Sequence, residues 1–205
     1  MVMLGDMGLP VSLDEIFSAP HAAAIYCQNK GYKKILLAVP DHEMEEDFPN
    51  FQLVDNNPDA IVLGDMGAGF TFHLINDLFN YILDGSELVA MHKNRFWKSA
   101  YGYSVDIGAF VSALEYASGR PASIMGKPNS NLFFLASRGW NLPAEKILMV
   151  GDDIAGDVGG ALNAGMKSVL VKTGKFRDDT LQFYDIKPSY IIDSIADLPG
   201  IIDLD

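Results

Sequence analysis

Two short stretches of this sequence carry residues able to do chemistry. The first is Ile147-Leu-Met-Val-Gly-Asp-Asp-Ile-Ala-Gly-Asp-Val-Gly-Gly-Ala161. Its leading apolar residues predict a buried strand, Ile147–Val150, that stops at Gly151. Asp152, Asp153 and Asp157 then fall at the C-terminal end of that strand, where open α/β sheets build their ligand sites. Three carboxylates crowded together repel one another unless a cation or a proton neutralises them, and hard oxygen ligands suit Mg²⁺. Helix capping accounts for one or two of these aspartates, because Asp is favoured at N-caps and in first turns. It does not account for the cluster together with its glycines, which let the backbone approach closely.

The second stretch is Ala122-Ser-Ile-Met-Gly-Lys-Pro-Asn129, a short apolar strand that delivers Lys127 at its end, beside a glycine and before a proline that halts it. If this strand neighbours the Gly-Asp-Asp strand, Lys127 lies between the aspartates and a bound phosphate, where its point charge steadies both. Taken alone, a Gly-Lys-Pro turn reads as a solvated loop.

These residues need a scaffold, and apolar runs of strand length alternate with segments of helical period, the pattern of an α/β protein with largely parallel strands. The other predicted strands are Lys34–Val39, Ala60–Leu63, Glu87–Met91, Ala122–Met125, Ser168–Val171 and Tyr190–Ile192. Helices are predicted over Ala19–Lys30, Thr71–Asp84, Ile107–Ser118, Ser130–Trp140 and Asp157–Ala164, with a short one near Ile195–Leu198. Gly31, Gly85, Gly119, Gly139 and Gly165 each follow a helix, where a positive φ is wanted. The run Arg95–Gly108 (RFWKSAYGYSVDIG) breaks the rhythm and reads as a long loop or crossover, so a boundary is expected beside it. That divides the chain into a short leading segment (1–18), an α/β unit (19–105) and a second α/β unit (106–205). The repeat of LGDMG at Leu4–Gly8 and Leu63–Gly67 has unlike flanks and reads as chance.

Composition narrows the functions. The net charge of −12 disfavours nucleic acid and anionic membrane as partners, since both would be repelled over most of the surface. An anionic substrate such as a phosphate ester then requires a local cluster of lysine, metal or backbone amides. The single cysteine, Cys27, lies in an apolar helical pattern and reads as packing; with no charged-then-apolar leader in view, a cytoplasmic protein is expected. No apolar run is long enough to span a bilayer. His21, His42, His73 and His92 are dispersed without metal-site spacing, and the acidic run Asp41–Asp47 reads as a solvated loop.

Gly126-Lys127-Pro128, a helix, and then Val150-Gly151-Asp152-Asp153-x-x-x-Asp157 resemble the third and fourth motifs of the haloacid dehalogenase (HAD) superfamily of phosphatases. Gly151–Ala161, Ala113–Gly119 (ALEYASG) and Val171–Phe176 (VKTGKF) are similar to the group containing phospholysine phosphohistidine inorganic pyrophosphate phosphatase and HAD-domain-containing proteins. Ile61–Asp65 and Met91–Lys98 resemble the α/β cap of that group, so the likeness covers nearly the whole chain. It implies a partial Rossmann-like HAD core plus an α/β cap, and Mg²⁺-dependent hydrolysis of a small phosphorylated compound, a phosphoamide or pyrophosphate. By the same resemblance, Lys127 contacts phosphate and nucleophile, Asp152 binds Mg²⁺, and Asp157 joins it as a metal-side and catalytic residue. Asp153 is either a supporting neighbour of the metal or a helix cap. Lys172, Lys175 and Arg177 with Gly174 resemble the final core loop, adding positive potential or forming a plain turn. The aromatic residues Phe96, Trp97, Tyr101 and Tyr103 face a substrate or pack within the cap, and relatives with this cap are often dimers through it.

The resemblance also implies a strand ending in Asp-x-Asp or Asp-x-Ser, whose first aspartate is the nucleophile, and a second strand ending in Thr or Ser. The chain opens instead on sequence similar to the segment that follows those strands. Asp65 and Asp6 superficially fit, but Gly67 and Gly8 occupy the place of the second acid. Low activity and apolar sheet edges are therefore expected. A non-catalytic binding or regulatory protein of the same fold is the alternative.

Overall fold

The computed structural model describes residues 2–40, 42–99 and 101–202. The strands are β1 (Lys34–Ala38), β2 (Gln52–Leu53), β3 (Ala60–Leu63), β4 (Glu87–Ala90), β5 (Phe96–Ser99), β6 (Gly102–Val105), β7 (Ser123–Ile124), β8 (Leu148–Gly151), β9 (Lys167–Val171) and β10 (Tyr190–Ile192). A five-stranded sheet runs β2-β1-β3-β4-β7 and a three-stranded sheet β10-β9-β8, all their pairs parallel. The fold is thus α/β, as the alternating pattern predicts.

The first sheet is covered on both faces because its strands alternate with period two. Ile35, Val62 and Val89 face one side, against Ala22, Ala23 and Cys27 of the helix Ala19–Lys30 and against Phe48. Ala38, Ile61, Leu63, Leu88 and Ala90 face the other, against the helices Phe72–Asp84 and Ile107–Ser118. Each fully buried Leu or Ile contributes about 1.5–3 kcal/mol of transfer free energy, so two such faces dominate the stability of this layer. The helix Ile107–Ser118 buries Ile107, Val111 and Leu114 on this sheet, and β7 hydrogen-bonds to β4; both segments follow residue 105 yet pack with the residues before it. Between the sheets lies the helix Ser130–Ser137, which turns Leu132 and Leu135 to the first core and Phe133 to the second.

Several expectations are corrected. The run after Arg95 is a β-hairpin, β5 paired antiparallel with β6, because its aromatic residues suit strands and Gly102 takes a positive φ (+125°) where β6 begins. The helix expected to reach Trp140 ends at Ser137, and Asn141 rather than Gly139 takes the positive φ. The helix expected from Asp157 opens earlier, as a π-helical turn over Ile154–Gly159 that continues as Gly160–Asn163, because Asp153 caps Ala155 and Gly156. The acidic run contains a short 3-10 segment, His42–Asp47; its first residue, Asp41, lies outside the described residues. Cys27 is fully buried, and burial pushes its thiol up to about 12, as a packing residue requires. No helix among the described residues is long and apolar enough to cross a membrane.

At the foot of the first sheet, Glu87 accepts hydrogen bonds from Tyr26 Oη (2.6 Å), Ser123 Oγ (2.5 Å) and Tyr32 Oη. Burial raises its pKa, but the bonds from Ser123, Tyr26 and Tyr32 and the charge of Lys30 outweigh burial and hold the carboxyl below its ordinary 4.5. A depressed folded pKa gives stability that is present above the unfolded pKa and lost as pH falls through the folded one. Glu87→Gln should therefore flatten the fall of unfolding free energy below about pH 5, measured by urea unfolding across pH. Gly108 donates to Asn94 O at 3.0 Å, and a Cβ there would stand 2.3 Å from that same oxygen. Gly108→Ala should cost about 1–3 kcal/mol by urea unfolding, whereas Gly139→Ala, in open space, should be near neutral.

Candidate functional site

The C-terminal ends of β4, β7 and β8 converge, and the chemistry-bearing residues sit on the loops that leave them. β8 ends at Gly151, followed by Asp152 and Asp153; the chain then turns through Ile154–Gly159 and brings the Asp157 carboxylate back over the strand end. Oδ2 of Asp157 accepts the backbone N–H groups of Asp152 (3.2 Å) and Asp153 (3.1 Å). Its Oδ1 accepts Lys127 Nζ at 2.6 Å. The carboxylate is 4% exposed, whereas Lys127 is 42% exposed and extends toward solvent. Gly151 is required there, since a Cβ would lie 2.2 Å from Asp157 Oδ2.

Lys127 arrives from an unexpected direction. The Gly-Lys-Pro strand does not neighbour the Gly-Asp-Asp strand: β7 pairs with β4, and Lys127 spans from the first sheet to the second to reach Asp157. The approach depends on Gly126, where a Cβ would stand 2.1 Å from Met91 O and 3.1 Å from His92 Cβ. The Lys127–Pro128 peptide is cis.

Lys175 completes the cluster, with a weight the sequence did not reveal. Its N–H donates to Asp152 Oδ2 at 2.6 Å and its Nζ reaches Asp153 Oδ2 at 3.2 Å. Gly174, at φ +52°, makes this possible, because any Cβ would collide with Asp152 Oδ2 at 1.9 Å. Asp153 caps the π-helical turn through Oδ1. Thus Asp153 combines the capping role with an ion pair.

His92 follows β4 and packs against Gly126. Burial lowers its pKa, Asp106 and Asp65 pull the other way, and Lys175 and Lys127 lower it further; the net direction is down. Its buried Nδ1 has no hydrogen-bond partner among the described residues and stands 3.8 Å from Asp106 Oδ1. No spacing rule flags a lone histidine, so this placement was invisible in the sequence. His21 and His73 are exposed and distant from the cluster by element, at the helices Ala19–Lys30 and Phe72–Asp84, and the side chain of His42 lies outside the described residues. Of the aromatic run, Phe96 lines a cleft beside Lys175, while Tyr103 makes an edge contact with Phe96.

The donor set offers a divalent cation one free carboxylate oxygen among the described residues. Asp152 has one oxygen held by Lys175 and the other without a protein hydrogen bond among the described residues, which suits a metal ligand. Both oxygens of Asp157 are engaged by an ammonium and two amides, the geometry of a supporting carboxylate. Among the described residues no three His, Cys, Asp or Glu side chains converge on a common cation position, so Asp152 supplies a single ligand here.

Parallel sheets with lysines and carboxylates meeting at their strand ends make this an α/β protein whose charged cluster lies where open sheets of this class build their sites. The HAD-hydrolase-like family model matches residues 124–198, which contain Lys127, Asp152, Asp157 and Lys175. Haloacid dehalogenase-like hydrolase domain-containing protein 2 of Bos taurus is 41% identical over 167 residues, covering 82% of this chain and 63% of that protein. Phospholysine phosphohistidine inorganic pyrophosphate phosphatase of Bos taurus is 33% identical over 197 residues, covering 95% of this chain and 72% of that one. Among solved structures, p-nitrophenyl phosphatase from Archaeoglobus fulgidus superimposes with a TM-score of 0.87 at 25% identity, covering 97% of this chain and 78% of that chain. The chain belongs to the haloacid dehalogenase-like hydrolases, and it spans 63% of the length of the first of these relatives.

Removing Asp157 strands two amides, each costing about 1–3 kcal/mol, while the half-exposed Lys127 ammonium returns to water at little cost. Asp157→Ala should therefore destabilise by about 3 kcal/mol, and Asp152→Ala, which strands only the Lys175 N–H, by about 1 kcal/mol. Urea unfolding of both variants checks the order.

Proposed function

We propose that this chain carries the lysine and metal-side half of an Mg²⁺-dependent phosphatase site that acts on a small phosphorylated compound, a phosphoamide or pyrophosphate. One observation supports it above the rest: a single buried carboxylate, Asp157, ties the Lys127 ammonium to the backbone that presents Asp152. Lys127 is the phosphate-binding group, its Nζ held by Asp157 and still open to solvent. Asp152 is the metal ligand through its free oxygen, Asp157 orients both partners, and Lys175 fixes Asp152 from the far side. Bound Mg²⁺ would supply charge neutralisation at the phosphate oxygens. A neighbour of the same fold, glycerol phosphate phosphatase from Mycobacterium tuberculosis, was solved in complex with magnesium and in complex with calcium, which favours a hard divalent cation of this kind.

The nucleophile follows from the resemblance as an aspartate at the end of a further strand. β8 pairs only with β9 among the described residues, and Leu148, Met149 and Val150 along it are half-buried. A parallel strand laid on that edge would end beside Asp152. Among the described residues no strand ends in Asp-x-Asp, so turnover by the chain as given should be low.

Calorimetric titration with orthophosphate in Mg²⁺ tests the reading. Binding should occur, depend on Mg²⁺, and weaken by roughly tenfold or more in Lys127→Ala and in Asp152→Asn, since each loses a charge-assisted contact. Binding that ignores both substitutions and the metal would contradict the proposal.

A further inference from the structure

A cleft of about 260 Å³ opens directly beside this cluster, between Asn94, Arg95 and Phe96 on one side and Pro128, Lys175 and Tyr184 on the other. It adjoins the phosphate position through two of its own walls. Pro128 follows Lys127 in the chain, and Lys175 donates its N–H to Asp152. Phe96, Pro128 and Tyr184 give the cleft apolar surface, and Tyr184 is itself packed into the core of the second sheet with Ile154 and Ile186. A leaving group bound there replaces water against those faces, a favourable exchange.

The cleft is also basic in a chain whose net charge is −12. Two of its cations have protein partners: Lys93 pairs with Glu115 and Lys175 with Asp153. Arg95 is different, because its guanidinium makes no hydrogen bond or ion pair among the described residues, although its backbone carbonyl accepts the N–H of Asp106 at 3.2 Å. An exposed guanidinium at the rim of an apolar cleft is matched by a carboxylate or phosphate, which it binds bidentately. The wall that carries it is braced: Phe96 meets Tyr103 edge-on at 5.2 Å, and the Arg177 guanidinium lies 5.4 Å over the Tyr103 ring. The hairpin β5–β6 is thereby tied to the segment that bears Lys175.

We propose that this cleft receives the leaving group of the substrate, and that it selects phosphorylated compounds whose leaving group joins an apolar body to a second anionic group read by Arg95. This rests on the phosphate site proposed above. Phe96 and Arg95 are then specificity-determining residues, while the phosphoryl group itself stays with Lys127.

The test compares three probes by calorimetry with the chain in Mg²⁺: orthophosphate, phenyl phosphate and 4-carboxyphenyl phosphate. One charge-assisted contact corresponds to roughly tenfold in affinity, so 4-carboxyphenyl phosphate should bind about tenfold tighter than phenyl phosphate. Arg95→Ala should close that gap, and Phe96→Ala should weaken both aryl phosphates relative to orthophosphate. The Arg95 side chain is exposed and has no partner among the described residues, so its loss leaves the fold intact. Equal affinities for the two aryl phosphates, or a gap that survives Arg95→Ala, overturn the leaving-group assignment while orthophosphate binding keeps the phosphate site standing. Failure of orthophosphate to bind, or indifference of its binding to Lys127→Ala, overturns both.

Discussion

The site depends on a carboxylate that is buried and fully engaged. Asp157 spends one oxygen on the Lys127 ammonium and the other on two backbone amides at the end of β8. A bare carboxylate in that position would be strongly disfavoured, and the three donors around it are what make burial tolerable. The consequence is geometric. Lys127 belongs to a loop leaving the first sheet, and Asp152 to a loop leaving the second, so the relative position of the two is set by a bond that crosses between sheets. Three glycines remove the side chains that would block this arrangement: Gly126 against Met91, Gly151 against Asp157 and Gly174 against Asp152.

Lys175 extends the same logic outward. Its ammonium pairs with Asp153 while its backbone N–H holds Asp152 in place, so Asp153 is charge-matched by protein and Asp152 keeps its negative charge. That leaves one oxygen of Asp152 without a protein hydrogen bond among the described residues. Lys127 and Asp152 are therefore both held in place by protein contacts, the first by Asp157 and the second by Lys175.

Much of this was legible in the sequence, and the reason is chemical. Gly126-Lys127-Pro128 and Gly151-Asp152-Asp153 announce themselves because charged residues at strand ends beside glycines have few bland explanations. The parallel α/β architecture followed from alternating apolar runs, and the cores of both sheets are built from those runs. Partner choice was not legible. Whether the lysine strand lies next to the aspartate strand was left open by the sequence, and β7 finds its hydrogen-bond partner in β4 instead, a contact set by three-dimensional packing. Lys175 sits in a Thr-Gly-Lys turn whose sequence suits an ordinary surface loop; only the positive φ of Gly174, aimed at Asp152, gives it a role. The hairpin β5–β6 escaped for a similar reason, since its glycine and aromatic content reads as irregular until the cross-strand pairs are seen.

The central claim is that Asp157 makes Lys127 and the Asp152 loop act as one phosphate-binding unit. A double-mutant cycle on Lys127→Ala and Asp157→Ala, read as orthophosphate affinity in Mg²⁺, tests it most directly. If the claim holds, Asp157→Ala alone removes as much affinity as the double variant, because the lysine is no longer held in place. Additive losses from the two substitutions would show that the lysine binds phosphate without Asp157, and would contradict it.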